Sequence, residues 1–177
     1  MSSSSAKRLL AVIDSFGDRI DKAGGVDFDV VDKIQRALSV RFPADYRAFL
    51  EKYGAIAIGS IQIYGVSEPI GSEPSILWAL KGLWETFPEI PKNLIPIRDQ
   101  SESDTVVCLA CASLSDEDAD GEVVLWSYDP SSEKGRVISL GKSFGSYLSD
   151  ALMGVQHRQH AMAVLDKRVS EFERDYL

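Results

Sequence analysis

Cys108 and Cys111 stand three residues apart, the spacing of redox pairs and of zinc ligands. They fall on an extended, hydrophobic run, and side chains three apart on a strand point to opposite faces, so both sulfurs cannot easily share one metal. His157 and His160, also three apart, lie on a helical pattern and could chelate. No carboxylate or cysteine stands beside them at a diagnostic spacing, and a solvated helix face accounts for both. A nucleophile elbow, a glycine-rich phosphate cradle and a His-Glu-x-x-His helix are each missing. Carboxylate pairs such as Asp99 with Asp104 do acid/base work only where a shaped pocket tunes them. These residue types point away from an enzyme and imply no cofactor and no metal.

Acid placed between extended runs is the sharpest feature. Asp99, Glu102 and Asp104 precede one run; Asp116, Glu117, Asp118, Asp120 and Glu122 fill the next connection. If the strands around them pair as neighbours, the carboxylates are expected to cluster at one end of a sheet, where they would steer a basic partner and form charge-assisted hydrogen bonds with it. A solvated acidic loop is the equal alternative, and a calcium site is a third, although Asp116 to Glu122 lacks the EF-hand pattern. Trp78, with Glu73 nearby in sequence, is the better exposed anchor for a partner, because Leu77, Leu80 and Trp84 share a helical face that turns Trp84 inward.

The elements that must position these residues follow from periodicity. Leu9, Leu10, Val12, Ile13, Phe16 and Ile20 predict an amphipathic helix over 6–22, ended by Gly24-Gly25. Asp27 can cap a second helix with Val30, Val31, Ile34 and Leu38 inside, and Pro43 can start a third over 43–53 that stops at Gly54. Isoleucines at 56, 58, 61 and 63 around Gly59-Ser60 predict a hairpin, and residues 73–87 a fourth helix closed by Pro88 and Pro91. Extended runs follow at 94–97, 105–110, 122–128 and 136–140, and Ser143 can cap a last helical region with a break at Gly154. The order predicts an α+β domain: a mostly antiparallel sheet of about six strands packed against N-terminal and C-terminal helices.

With 177 residues, 45% hydrophobic and 26% charged, the chain is expected to fold as one globular domain over 1–177. Its formal net charge of −8, with no basic stripe, makes the field that drives nucleic-acid binding repulsive. The apolar run after Lys7 and Arg8 is broken at Asp14, too soon for a signal peptide or a membrane span. The expectation is a cytoplasmic protein with free thiols, binding neither nucleic acid directly nor membrane.

The segment Arg41-Phe42-Pro43-Ala44-Asp45-Tyr46-Arg47-Ala48-Phe49-Leu50-Glu51-Lys52-Tyr53-Gly54 resembles the hallmark of the SUKH (Smi/Knr-like) superfamily. Leu94 to Ile97, Thr105 to Leu109, Gly121 to Trp126 with Asp129, and Ser143-Phe144-Gly145-Ser146-Tyr147-Leu148 are similar to its later strands and last helix. The likeness covers about 27–153; Ala55 departs from it, and the N-terminal helix and the 154–177 extension lie outside it. Members are known mainly as immunity proteins against secreted bacterial toxins, many of them nucleases, while fungal members are regulatory adaptors in cell-wall signalling. The resemblance implies binding rather than catalysis. The expected partner is a cognate toxin, a basic nuclease, met by Glu73, Trp78 and the acidic residues above; the alternative is a non-toxin adaptor.

Overall fold

The computed structural model describes residues 4–67, 75–99, 105–116, 121–132, 134–158 and 162, with the side chain of Asp99 left out. Among the described residues the α-helices are α1 (Ser4–Asp14), α2 (Phe28–Leu38), α3 (Ala44–Tyr53), α4 (Ile76–Thr86) and α5 (144–158). The strands are β1 (Asp21–Lys22), β2 (Val40–Arg41), β3 (Ile56–Ile58), β4 (Ile61–Ile63), β5 (Leu94–Asp99), β6 (Thr105–Ala110), β7 (Ala112–Ser113), β8 (Glu122–Asp129) and β9 (Lys134–Ser143). The α+β class and the antiparallel pairing are as the sequence predicts. The six expected strands are β3 to β6, β8 and β9, and the added β1, β2 and β7 are two residues each, too short for any periodicity to show.

The first helix ends sooner than its apolar spacing suggests. Gly17 adopts φ 56°, a left-handed turn that stops α1 and leaves a short 3₁₀ turn, Gly17–Arg19, to carry Phe16 and Ile20 into the core. At the end of α3, Gly54 has φ 68°, and a Cβ there would lie 2.1 Å from the Gly24 carbonyl oxygen and 2.4 Å from that of Val66. Three chain segments meet backbone to backbone at this point, which only glycine permits. Ser75 caps α4, accepting a hydrogen bond from the Leu77 N–H, and Ser143 does the same for Ser146 at the start of α5.

β5, β6, β8 and β9 form a four-stranded antiparallel sheet in that order. Alternation along β6 sends Val107 and Leu109 to one face and Val106 and Cys108 to the other. The larger cluster packs the first face against α1, α2, α3 and α5, where Tyr46, Phe49 and Phe144 meet edge to face or stacked at 4.7 to 5.9 Å between ring centroids. The smaller cluster holds Cys108, Val124 and Trp126 with Leu83 and Ile90. α4 joins the two, with Ile76 and Leu80 in the larger, Leu83 in the smaller, and Trp84 against both. The two cysteines therefore divide as strand geometry predicts, Cys108 in the smaller cluster and Cys111 in the larger. β9 is an edge strand: among the described residues nothing pairs with its outer side, and residues 134–139 are exposed. Among the described residues no helix is long and apolar enough to cross a membrane.

Candidate partner-binding surface

The exposed face of α4 is set by its buried one. Ile76, Leu80 and Leu83 recur at helical spacing and are buried, with Leu77 and Trp84 at the margin of that stripe. Trp78 falls outside it and is 45% exposed, while Trp84 turns inward beneath Lys92, whose Nζ lies 4.3 Å from the ring centroid. Trp78 is held from behind by Tyr64, buried, with ring centroids 6.5 Å apart in an edge-to-face arrangement. An exposed indole fixed by a buried ring is a low-entropy apolar anchor.

Beside it a groove of about 570 Å³ runs between α4 and the β5–β6 pair, lined by Tyr64, Trp78, Gly82, Phe87, Pro96 and Val106 among others. Trp78 was expected at a surface; the groove was not. Its walls come from four separated stretches, and no periodicity within any one of them signals that they meet. Lys81 and Glu85 stand at its rim, one charge of each sign.

The strand ends that border the two acidic connections lie at opposite ends of the sheet, not at the one end that the sequence suggested. β5, β6 and β8 are neighbours, but consecutive hairpin connections leave from alternate ends of the sheet. Asp99 pairs with Val106 and Thr105 with Ser127 at one end; Ala110 pairs with Glu122 at the other. Six residues of β6 hold the two ends about 17 Å apart at the usual rise per residue. Of the candidate residues, Asp99 closes β5, and Asp116 is exposed in the second connection, where the Arg41 Nη2 donates to the Leu114 carbonyl at 2.7 Å. Glu73, Glu102, Asp104, Glu117, Asp118 and Asp120 lie outside the described residues.

Elsewhere the charged groups hold the fold. The Asp14 carboxylate receives the Lys52 ammonium at 2.6 Å and the Tyr53 hydroxyl at 2.7 Å, binding α1 to α3, and these two bonds lower its pKa. Burial pushes both the Cys108 and Cys111 thiols up to about 12. His157 is exposed on α5; His160 lies outside the described residues.

A family model described as SUKH_5: SMI1-KNR4 cell-wall matches residues 10–153, reaching N-terminally into α1. No curated protein matches the sequence. Five solved chains match in structure. One is a crystal structure of a protein from Pseudomonas syringae pv. tomato, 23% identical, with a TM-score of 0.51 over 67% of this chain and 83% of that one, a likeness of fold.

Proposed function

This chain belongs to the SUKH_5, SMI1-KNR4 cell-wall family, and from that premise we propose that it is a non-catalytic binding protein that neutralises a cognate secreted bacterial toxin. The toxin is a basic nuclease domain and the complex is stoichiometric. Membership supports this reading because members of the superfamily are known chiefly as immunity proteins. The single observation that carries it to the surface is Trp78, 45% exposed yet held by Tyr64 at the mouth of a groove, as a binding anchor should be. The net charge of −8 favours fast encounter with a basic domain.

Co-expression with the C-terminal domain of a large secreted protein encoded beside this gene tests the reading. A one-to-one complex that restores growth, and whose association slows as salt rises, supports it. Neither complex nor rescue sinks it. A regulatory adaptor is the second reading, favoured by the cell-wall description of the family; it is supported if a stable endogenous partner is found that is no toxin.

A further inference from the structure

β9 closes one side of the four-stranded sheet, and its outer side is a row of backbone N–H and C=O groups that no strand takes up among the described residues. The opposite edge differs, since the Tyr64 N–H, just past β4, donates to the Ile97 carbonyl of β5 at 2.8 Å. Residues 134–139 pair one to one with Asp129 back to Val124, and the register shifts only beyond Ser139, where Leu140 and Gly141 are inserted. The regular part of the edge is therefore as long as an ordinary strand and contains no proline to blunt it.

The side chains along this edge say what fits it. Val137 lies opposite Trp126 and Ile138 opposite Leu125, so the two point to opposite faces of the sheet, yet they are 48% and 43% exposed. A helix or small ligand resting on one face covers one of them, whereas a strand laid alongside covers both. Lys134 and Arg136 share the face of Ile138 and are exposed, and neither forms an ion pair among the described residues. The acids of the neighbouring β8 are engaged elsewhere. Asp129 accepts the Ser131 N–H and the hydroxyls of Ser131 and Ser132, and Glu122 accepts the Ser139 hydroxyl and the Gly141 N–H. Lys142, past the irregularity, is held by Asp150 at 2.7 Å. A second copy of β9 would bring two more cations and no acid, because Lys134 to Ser139 contain none.

We propose that residues 134–139 of β9 dock an extended segment of a protein partner, which adds to the sheet as a further antiparallel strand with Glu or Asp opposite Lys134 and Arg136 and apolar side chains opposite Val137 and Ile138. The residue opposite Gly135 is small, because the Trp126 indole lies over that glycine: a Cβ there would stand 2.5 Å from its ring nitrogen. This contact goes beyond the toxin reading and does not depend on it.

The test titrates the isotope-labelled full chain with a short synthetic peptide whose antiparallel register sets Ile and Val against Val137 and Ile138 and Glu against Arg136 and Lys134. The signals followed are the amides of 134–139 and the Trp126 indole. A matched peptide with Lys in place of Glu is the control. The Glu peptide is expected to shift these signals and to bind roughly tenfold or more tightly than the Lys peptide, and the double variant Lys134→Glu, Arg136→Glu is expected to reverse that preference. Both substitutions fall at exposed positions, and a melting temperature close to the parent's verifies that the variant folds. Two further Glu peptides, N-methylated at alternate residues, test the backbone pairing on the unaltered protein: one keeps its affinity and the other loses it, because only one set of peptide N–H groups faces β9. Shifts confined to other elements, equal affinity for the Glu and Lys peptides, or equal effects of the two methylation patterns overturn the proposal. Shifts at 134–139 that appear on concentrating the free chain assign the edge to a second copy and likewise overturn the acidic strand.

Discussion

The Asp45 carboxylate accepts a 2.7 Å hydrogen bond from the backbone N–H of Gly145, joining residues 100 apart in sequence. The first turn of α3 thereby fastens the first turn of α5, and the same carboxylate takes the Tyr46 N–H at 2.9 Å. Asp45 is only 5% exposed, so its loss leaves a buried donor without a partner. Asp45→Ala is expected to cost about 2–3 kcal/mol in urea unfolding, the range for charge-assisted bonds. An unchanged midpoint would show that the α3–α5 junction does not depend on it.

Two glycines should respond to alanine in opposite directions. Gly54→Ala places a Cβ 2.1 Å from a carbonyl oxygen at φ 68° and is expected to unfold the chain or lower its melting temperature severely. Gly82→Ala, in the interior of α4 where a Cβ would meet nothing within 4 Å, is expected to stabilise by about 0.5–1 kcal/mol. Thermal melts of the two variants side by side check this, and a destabilised Gly82→Ala would contradict the open space seen around that position.

Stability at low pH should carry the mark of Asp14. Hydrogen bonds from the Lys52 ammonium first, and the Tyr53 hydroxyl second, lower its pKa beneath the ordinary 3.8. A group depressed in the folded state stabilises above its unfolded pKa, and that contribution fades as pH falls from about 3.8 through the lower folded value. Asp14→Asn is expected to reduce stability at neutral pH and to flatten the decline below pH 4. Because Asp14 is half-exposed, the change should be modest, and parallel pH profiles for the two proteins would show that the pair contributes nothing.

Both cysteines are expected to be silent towards thiol reagents. They are buried, in different clusters, with pKa values pushed up to about 12. Ellman's reagent at pH 8 should label neither in the native protein and both in guanidinium; rapid native labelling of either would mean that its cluster opens.

Legibility in the sequence followed the range of the interactions. The Pro43 to Gly54 segment was readable because its apolar spacing, its start and its stop all lie within one helix, and Tyr46, Phe49 and Leu50 are indeed fully buried. Trp78 was placed outward by the same local periodicity. The overrun of α1 came from weighing apolar spacing above Gly17, whose left-handed φ ends the helix. The ends of the sheet from which the two acidic connections leave were not legible, since composition tells which connections carry charge but only strand direction tells which end of the sheet they leave from. The groove was invisible for the same reason, its walls being brought together by tertiary packing.

β9 presents a long outer edge, with Val137 and Ile138 uncovered. A bare strand of that length is a template on which identical molecules can stack into fibrils. Lys134, Arg136 and Lys142 lie along it, and the register shift opposite Val123 and Val124 spoils its regularity. A copy that extended the sheet in register would bring like charges together on an uneven seam, which works against self-association along this edge.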